Sequence, residues 1–372
     1  CDQNGASRLR APPHAPELAR GRGSVYHAAL VQREARSDPL IGSVLEGRYR
    51  LLRLLGRGGM GSVYVAEETR LGRRYALKVL KPELAEDRAQ IERFLREAQT
   101  IARLQHPNIV DIHSFGEDPS GVVFFTMELL TGEDLDSRIA ARAQRPYTVR
   151  DACQWARQIA RAVGEVHRNG LIHRDLKTQN VFLAHTQDDQ EIVKLLDFGI
   201  ARPEEGSELT RTGNILGTPS YMSPEQIRNE QIDRRSDIYS FGVLLFKLLT
   251  GRVPFTGEAI QVAMQHVGSP VPPPSTLGGA FTVPPELDAL VLKAMSKRPV
   301  DRPASMEEIE RALTEILDRS GLVVAPPPAL TPDEITPAPA TWSPASDEAS
   351  EGVTVKNVSG RASTESNLAL VD

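Results

Sequence analysis

The segment GRGGMGSV, residues 56–63, gathers Gly56, Gly58, Gly59 and Gly61 with Arg57, Met60 and Val63. Absent side chains let backbone N–H groups come close to phosphate oxygens. Such a turn is weak evidence alone, since a dinucleotide fingerprint also has it, but that fingerprint leads into a helix and meets an acidic residue about 20 positions later. Here a strand follows, and the residue at comparable distance is Lys78. In YALKVL, Leu77 and Val79 face away from Lys78, which turns the ammonium toward the glycine turn. A cation placed there must be held, and Glu97, on the edge of the apolar stripe of the next helix, can supply the counter-charge. Further along, HRDLKTQN runs from His173 to Asn180, and 17 residues after Asn180 comes Asp197-Phe198-Gly199.

These residues call for strands first and helices afterwards. Residues 49–55 alternate apolar and polar, a glycine turn follows, and 62–67 resume extended character, which predicts a hairpin. Residues 75–80 form a short apolar strand, and Ile91, Phe94, Leu95, Ala98, Ile101 and Ala102 recur at helical spacing. Strands around 109–115 and 122–127 complete a small antiparallel sheet with one helix on it. From 151, Trp155, Ile159, Val163 and Val166 mark a second amphipathic helix that stops at Asn169 and Gly170. Short strands around 180–183 and 192–196 come next. Residues 236–249 are apolar on nearly every face and read as a buried central helix, capped by Ser236 or Asp237 and closed by Gly251. The fold class is α+β, with a sheet-based first lobe (47–130) and a mainly helical second lobe (131–319).

Composition narrows the function classes. The 372 residues, 40% apolar and 25% charged, suffice for one large or two ordinary domains. A net charge of −5 offers no global basic footprint for nucleic acid. Two cysteines, Cys1 and Cys153, exclude a disulfide framework and fit a reducing compartment, with Cys153 expected in the core. No apolar run reaches the 18 residues of a membrane span. Residues 1–46 and 320–372 lack periodicity and are predicted disordered. The first of these flanks lacks an initiating Met and reads as truncated.

In order and spacing these motifs resemble the protein kinase superfamily, and within it the bacterial, eukaryotic-like (Hanks-type) serine/threonine kinases, over residues 47–319. The resemblance implies a bilobal kinase fold that transfers the γ-phosphate of ATP, with Mg2+ or Mn2+, to Ser or Thr hydroxyls of protein substrates in the cytoplasm. Asp175 would orient the substrate hydroxyl and accept its proton, and Lys177 would neutralise the travelling phosphoryl group. Asn180 and Asp197 are hard oxygen ligands suited to Mg2+. Met127 resembles the gatekeeper, and Glu128 and Leu130 the hinge that hydrogen-bonds adenine. Val63, Ala76 and Phe182 would sandwich the ring. Ile101, Ile112, His173 and Phe198 would stack as a spine joining the lobes.

Thr178 departs from the family's usual proline, which removes a stiff turn residue but no chemical group. In GTPSYMSPE, Thr218 would lie near Asp175, and Glu225 would pair with Arg302. Asp237 would brace the catalytic loop, and His266 reads as structural. Thr210 and Thr212 stand where the family is autophosphorylated, with Arg174 and Arg202 to grip the phosphate. Phosphothreonine-binding partners and a homodimer acting in trans are the further partners implied. A catalytically weak scaffold that binds nucleotide and partners is the alternative reading, disfavoured because Lys78, Asp175 and Asp197 are all present. A small-molecule phosphotransferase is disfavoured by the threonine-bearing segment before SPE.

Overall fold

The alternation in the first lobe does form strands. The computed structural model describes residues 38–186, 188, 190–198, 219–277 and 282–319. Arg202, Thr210, Thr212 and Thr218, with residues 1–37 and 320–372, lie outside the described residues. Strands β1 (Val44–Leu45), β2 (Tyr49–Arg57), β3 (Gly61–Glu68), β4 (Arg74–Leu80), β5 (Ile112–Glu117) and β6 (Val123–Glu128) make one antiparallel sheet in the order β1-β2-β3-β4-β6-β5.

One face of this sheet carries a closed apolar cluster of Leu45, Tyr49, Leu51, Tyr64, Ala66, Leu77, Val79 and Phe124. The other face sends Leu80 and Phe125 into a larger core with Phe94, Ala98 and Ile101 of helix α2 (Arg88–Ile101). A short helix α1 (Pro82–Ala85) precedes it. Helix α2 starts before the predicted Ile91 because the Asp87 side chain caps it, accepting from the Ala89 N–H at 2.9 Å. Strand β5 starts after the predicted residue 109 because Ile109 and Val110 instead bridge to Leu195 of the second lobe. Residues 38–46, placed by sequence in a disordered leader, pack on the sheet: β1 pairs with β2, and Leu40 and Ile41 cover the outer cluster.

In the second lobe, β7 (Gly132–Asp134), β8 (Val181–His185) and β9 (Glu191–Leu195) form a small antiparallel sheet. Strand β7 escaped the sequence reading because its three residues, Gly-Glu-Asp, carry no apolar alternation. A Cβ at Gly132 would fall 2.0 Å from the Leu183 carbonyl oxygen, so glycine alone lets the two strands pair this closely.

The helices of this lobe are α3 (Leu135–Ala140), α4 (Val149–Arg168), α5 (Pro224–Ile227), α6 (Arg234–Thr250), α7 (Ala259–Gly268), α8 (Pro285–Ala294) and α9 (Met306–Arg319). Helix α4 opens on a Thr148–Asp151 capping box. Cys153 on it is buried in the core, which pushes its thiol up to about 12. The predicted cap of α6 is corrected: Asp233 caps it, accepting from the Arg235 N–H. Ser236 and Asp237 are spent elsewhere, Ser236 donating to Glu225 and Asp237 accepting from the catalytic loop.

Glu225 of α5 and Arg302 meet in a two-pronged ion pair, with Oε1 and Oε2 accepting from Nη1 and Nη2 at 2.6 and 2.8 Å. Both residues are buried. Burial works to raise the Glu225 carboxyl, but the Arg302 guanidinium overrides it and holds the group below the usual carboxylate range. Its stabilisation is therefore full above the unfolded value near ~4.3 and is lost as pH falls through the lower folded value. Arg302→Met, which strands the buried carboxylate, is expected to cost about 3–5 kcal/mol at neutral pH in chemical denaturation, and the Glu225→Leu, Arg302→Met double variant much less.

Candidate active site

The catalytic loop is built against a buried carboxylate. Asp237, 1% exposed, accepts from the backbone N–H of His173 at 2.8 Å and of Arg174 at 2.9 Å. It also accepts from the Nε2–H of His167 at 2.8 Å. Burial works to raise this carboxyl, and its bond to His167 leads the effects that bring it below the usual range. The two amide bonds hold Arg174 at φ +65°, in the left-handed region that side-chain-bearing residues avoid. His173 itself is fully buried, which lowers its pKa and keeps the ring neutral. The ring stacks on Phe198 with centroids 4.7 Å apart, and Ile101 and Ile112 are buried in the same core.

Beyond that turn the predicted residues converge. Lys177 Nζ lies 2.7 Å from Asp175 Oδ2. The Asn180 amide donates to the Asp175 carbonyl at 2.8 Å and to the Asp197 carbonyl at 3.3 Å, which leaves its Oδ1 as the end able to ligate a cation. Lys78, its side chain 9% exposed, reaches from the first lobe to Asp197 Oδ1 at 2.7 Å. Desolvation works to raise the Asp197 carboxyl, but the Lys78 ammonium overrides it and the pKa falls below the usual range. That side chain is nonetheless 47% exposed, and Asp197 takes φ +35°. One accessible carboxylate and one amide oxygen are a hard donor pair of the kind Mg2+ takes together with waters and phosphates.

Above these groups, Val63 and Lys78 are cross-strand partners, and Ala76 lies two residues along on the same face of β4. Ala76 also pairs with Met127 on β6, and Glu128 ends that strand ahead of Leu130. The Glu128 carboxylate is committed, accepting from the Asp111 N–H at 2.9 Å and from Lys194 at 2.7 Å. Phe182 lies on β8. Glu97 lies on α2, and its side chain is outside the described residues.

In the glycine turn the Gly58 N–H donates to the Gly61 carbonyl at 2.7 Å, and the Lys81 N–H to that of Met60 at 3.0 Å. A Cβ at Gly61 would lie 2.0 Å from the Val79 oxygen, whereas one at Gly56 or Gly59 would meet nothing within 4 Å. Those two glycines thus answer to no neighbour in the chain. The Arg57 guanidinium is engaged by Asp38 at 3.2 Å.

Two features escaped the sequence reading. Thr178 does more than replace a stiff proline: its buried hydroxyl donates to Asp136 Oδ1 at 2.5 Å and sits 2.8 Å from the Tyr221 hydroxyl. Lys247 closes the network onto the same Asp136 oxygen. The departure from the family pattern was the available signal, but its partners lie 42 and 43 residues away in sequence. His167 was missed as well, having no motif around it.

A sequence profile described as the protein kinase domain matches residues 49–313. The chain belongs to the protein kinase family. It is 38% identical over 285 residues to the serine/threonine-protein kinase pkn3 of Myxococcus xanthus, covering 75% of this chain and 52% of that protein. It is 38% identical to PrkC of Bacillus subtilis (76% of this chain, 42% of that protein) and 40% to PknB of Mycobacterium tuberculosis (74% and 44%). The chain therefore spans about half the length, or less, of these curated relatives, which place it in the bacterial Hanks-type branch.

Among solved structures it resembles the PknI kinase domain of M. tuberculosis, with 29% identity, a TM-score of 0.56, and coverage of 74% of this chain and 97% of that one. Family membership implies the use of ATP and a divalent cation. Among the described residues no helix is long and apolar enough to cross a membrane.

Removing the acceptor under the catalytic loop tests how the kinase site is held. Asp237→Ala takes the acceptor from three groups, the His173 and Arg174 N–H and the His167 ring N–H, at about 1–3 kcal/mol for each one left buried and unsatisfied. The turnover number is expected to fall far more than ATP affinity, with the two measured by steady-state kinetics and by nucleotide titration.

Proposed function

We propose that this protein transfers the γ-phosphate of Mg-ATP to serine or threonine hydroxyls of other proteins, in the cytoplasm. The observation that carries the reading is the Lys78–Asp197 ion pair, 2.7 Å across the two lobes, beside Asp175, Lys177 and Asn180. Bound Mg-ATP would supply the phosphoryl group and a cation to spread its charge. Asp175 accepts the proton of the attacking hydroxyl, and Lys177, already within 2.7 Å of Asp175, offers its ammonium to the charge that moves between the oxygens. Lys78 directs the phosphates from above, and the backbone of Gly56, Gly58 and Gly59 closes over them. Glu97 would supply the counter-charge to Lys78. Asn180 and Asp197 hold the cation, Mg2+ in preference to Mn2+. Val63, Ala76, Met127, Glu128, Leu130 and Phe182 enclose the adenine. The catalytic unit is assigned to residues 47–319, extended at its start by residues 38–46, which pack on the first sheet.

Asp175→Asn is expected to lower phosphoryl transfer by about 10²-fold or more while ATP still binds, and Lys78→Met to weaken productive ATP binding. Near wild-type turnover in either variant, measured on a generic protein substrate, would remove the assignment.

The switch is proposed to be autophosphorylation in trans, within a homodimer, at Thr210 or Thr212. A phosphothreonine adds close to two negative charges, which Arg174 and Arg202 can grip and which phosphothreonine-binding partners can read. Incubation with Mg-ATP should place phosphate on this segment by mass spectrometry and raise activity. The Thr210→Ala, Thr212→Ala variant should not rise; an equally active double variant would refute the switch.

A further inference from the structure

The glycine turn is held from outside the motif that defines it. Asp38 precedes the first strand, yet its side chain is only 4% exposed and both of its oxygens are used. Oδ1 accepts from the Leu40 N–H at 3.1 Å. Oδ2 accepts from the Tyr64 hydroxyl at 3.0 Å and from Arg57 Nη2 at 3.2 Å. Burial comes first, then Asp38, in pushing the Tyr64 phenol up to about 12, so it remains a hydrogen-bond donor throughout the working range.

The placement of these partners matters more than their number. The β2–β3 register shifts between Leu54 and Gly56: Leu54 faces Tyr64, Gly56 faces Val63, and Leu55 is left as the extra residue of a bulge. Tyr64 stands opposite the residue entering the bulge, and Arg57 is the second residue after it. One carboxylate therefore ties together both sides of the irregularity that sets the direction in which the glycine turn leaves the sheet. Arg57 alone is 54% exposed and would contribute little as a surface pair. The buried Tyr64–Asp38 bond supplies the fixed point. Leu40, Ile41 and Leu45 anchor Asp38 by packing on the outer apolar cluster, and Gly42 and Ser43 exchange backbone bonds with Leu51.

We propose that Asp38 is a positioning residue for the phosphate-binding turn, fixing the bulge at Leu55 through Tyr64 and Arg57 and so setting how tightly ATP is held. The inference rests on the reading of the glycine turn as the nucleotide site. Asp38 touches no nucleotide in this scheme; it acts through the strand pair.

The test uses the full chain with Asp38→Asn, Tyr64→Phe and the two combined. Dissociation constants come from titration with a fluorescent ATP analogue competed by ATP, kcat and KM from transfer to a generic protein substrate, and fold integrity from thermal unfolding. Asp38→Asn is expected to raise both the ATP dissociation constant and KM roughly three- to tenfold with kcat within about twofold. Tyr64→Phe should do less, and the double variant should be no worse than Asp38→Asn, because the two act as one unit. Unchanged ATP affinity in Asp38→Asn would overturn the proposal. So would a lower unfolding temperature and a smaller active fraction with KM unmoved, the signature of a merely structural role. Wild type that binds no ATP analogue would instead overturn the nucleotide reading itself, which separates the two failures.

Discussion

A single carboxylate almost without solvent organises the second-lobe side of this kinase-family domain. Asp237 sits in the first turn of α6, where the positive end of the helix favours a negative charge, and three N–H donors fill its lone pairs. A buried charge without such partners would be intolerable, and an N–H without such an acceptor would be nearly as costly. Each side of the arrangement thus makes the other possible. The left-handed turn at Arg174 is stable because its amide is captured, and from that turn Asp175, Lys177 and Asn180 take their positions. The chain of dependence runs on through Asn180 to Asp197 and across the cleft to Lys78.

Around this centre the structure places its charges in neutralised pairs. Lys78 faces Asp197, Lys177 faces Asp175, and behind the site Lys247 faces Asp136. Arg302 and Glu225 form a pair of another kind, both fully enclosed, with the remaining guanidinium protons donated to the carbonyls of Ser296, Arg235 and Lys297. In the two pairs of the site at least one partner keeps some exposure, Asp197 in the first and both Lys177 and Asp175 in the second. The Arg302–Glu225 pair is saturated and fixes shape.

Much of this was legible in the sequence, for reasons that are local. Lys78 could be oriented because strands alternate, and Leu77 and Val79 do enter the outer cluster as that alternation requires. Helix α4 stops at Asn169 with Gly170 at φ +73°, as its C-terminal residues announce. What stayed hidden involves partners far along the chain. The cap of α6 was misassigned because Ser236 and Asp237 are good caps by type, and only the fold shows that Glu225, His173 and Arg174 claim them first. Thr178 looked like the loss of a proline because its hydroxyl partners belong to α3 and to the segment before α5. Asp38 looked like leader because its contacts are 19 and 26 residues away.

The two apolar clusters do not follow the two lobes. Helix α2 and the inner face of the first sheet share one continuous core with Leu183, Leu195 and Phe198 of the second lobe, while the outer face keeps a cluster of its own beneath residues 40–45. A boundary of cooperative opening therefore falls between β1 and β2, whose buried side chains lie in the outer cluster alone, and the core that holds α2, rather than at the cleft. Strands β1 and β2 can exchange their amide protons in openings that leave α2 seated. An opening that unseats α2 breaks into the core beneath the catalytic loop, and the whole domain shares its cost.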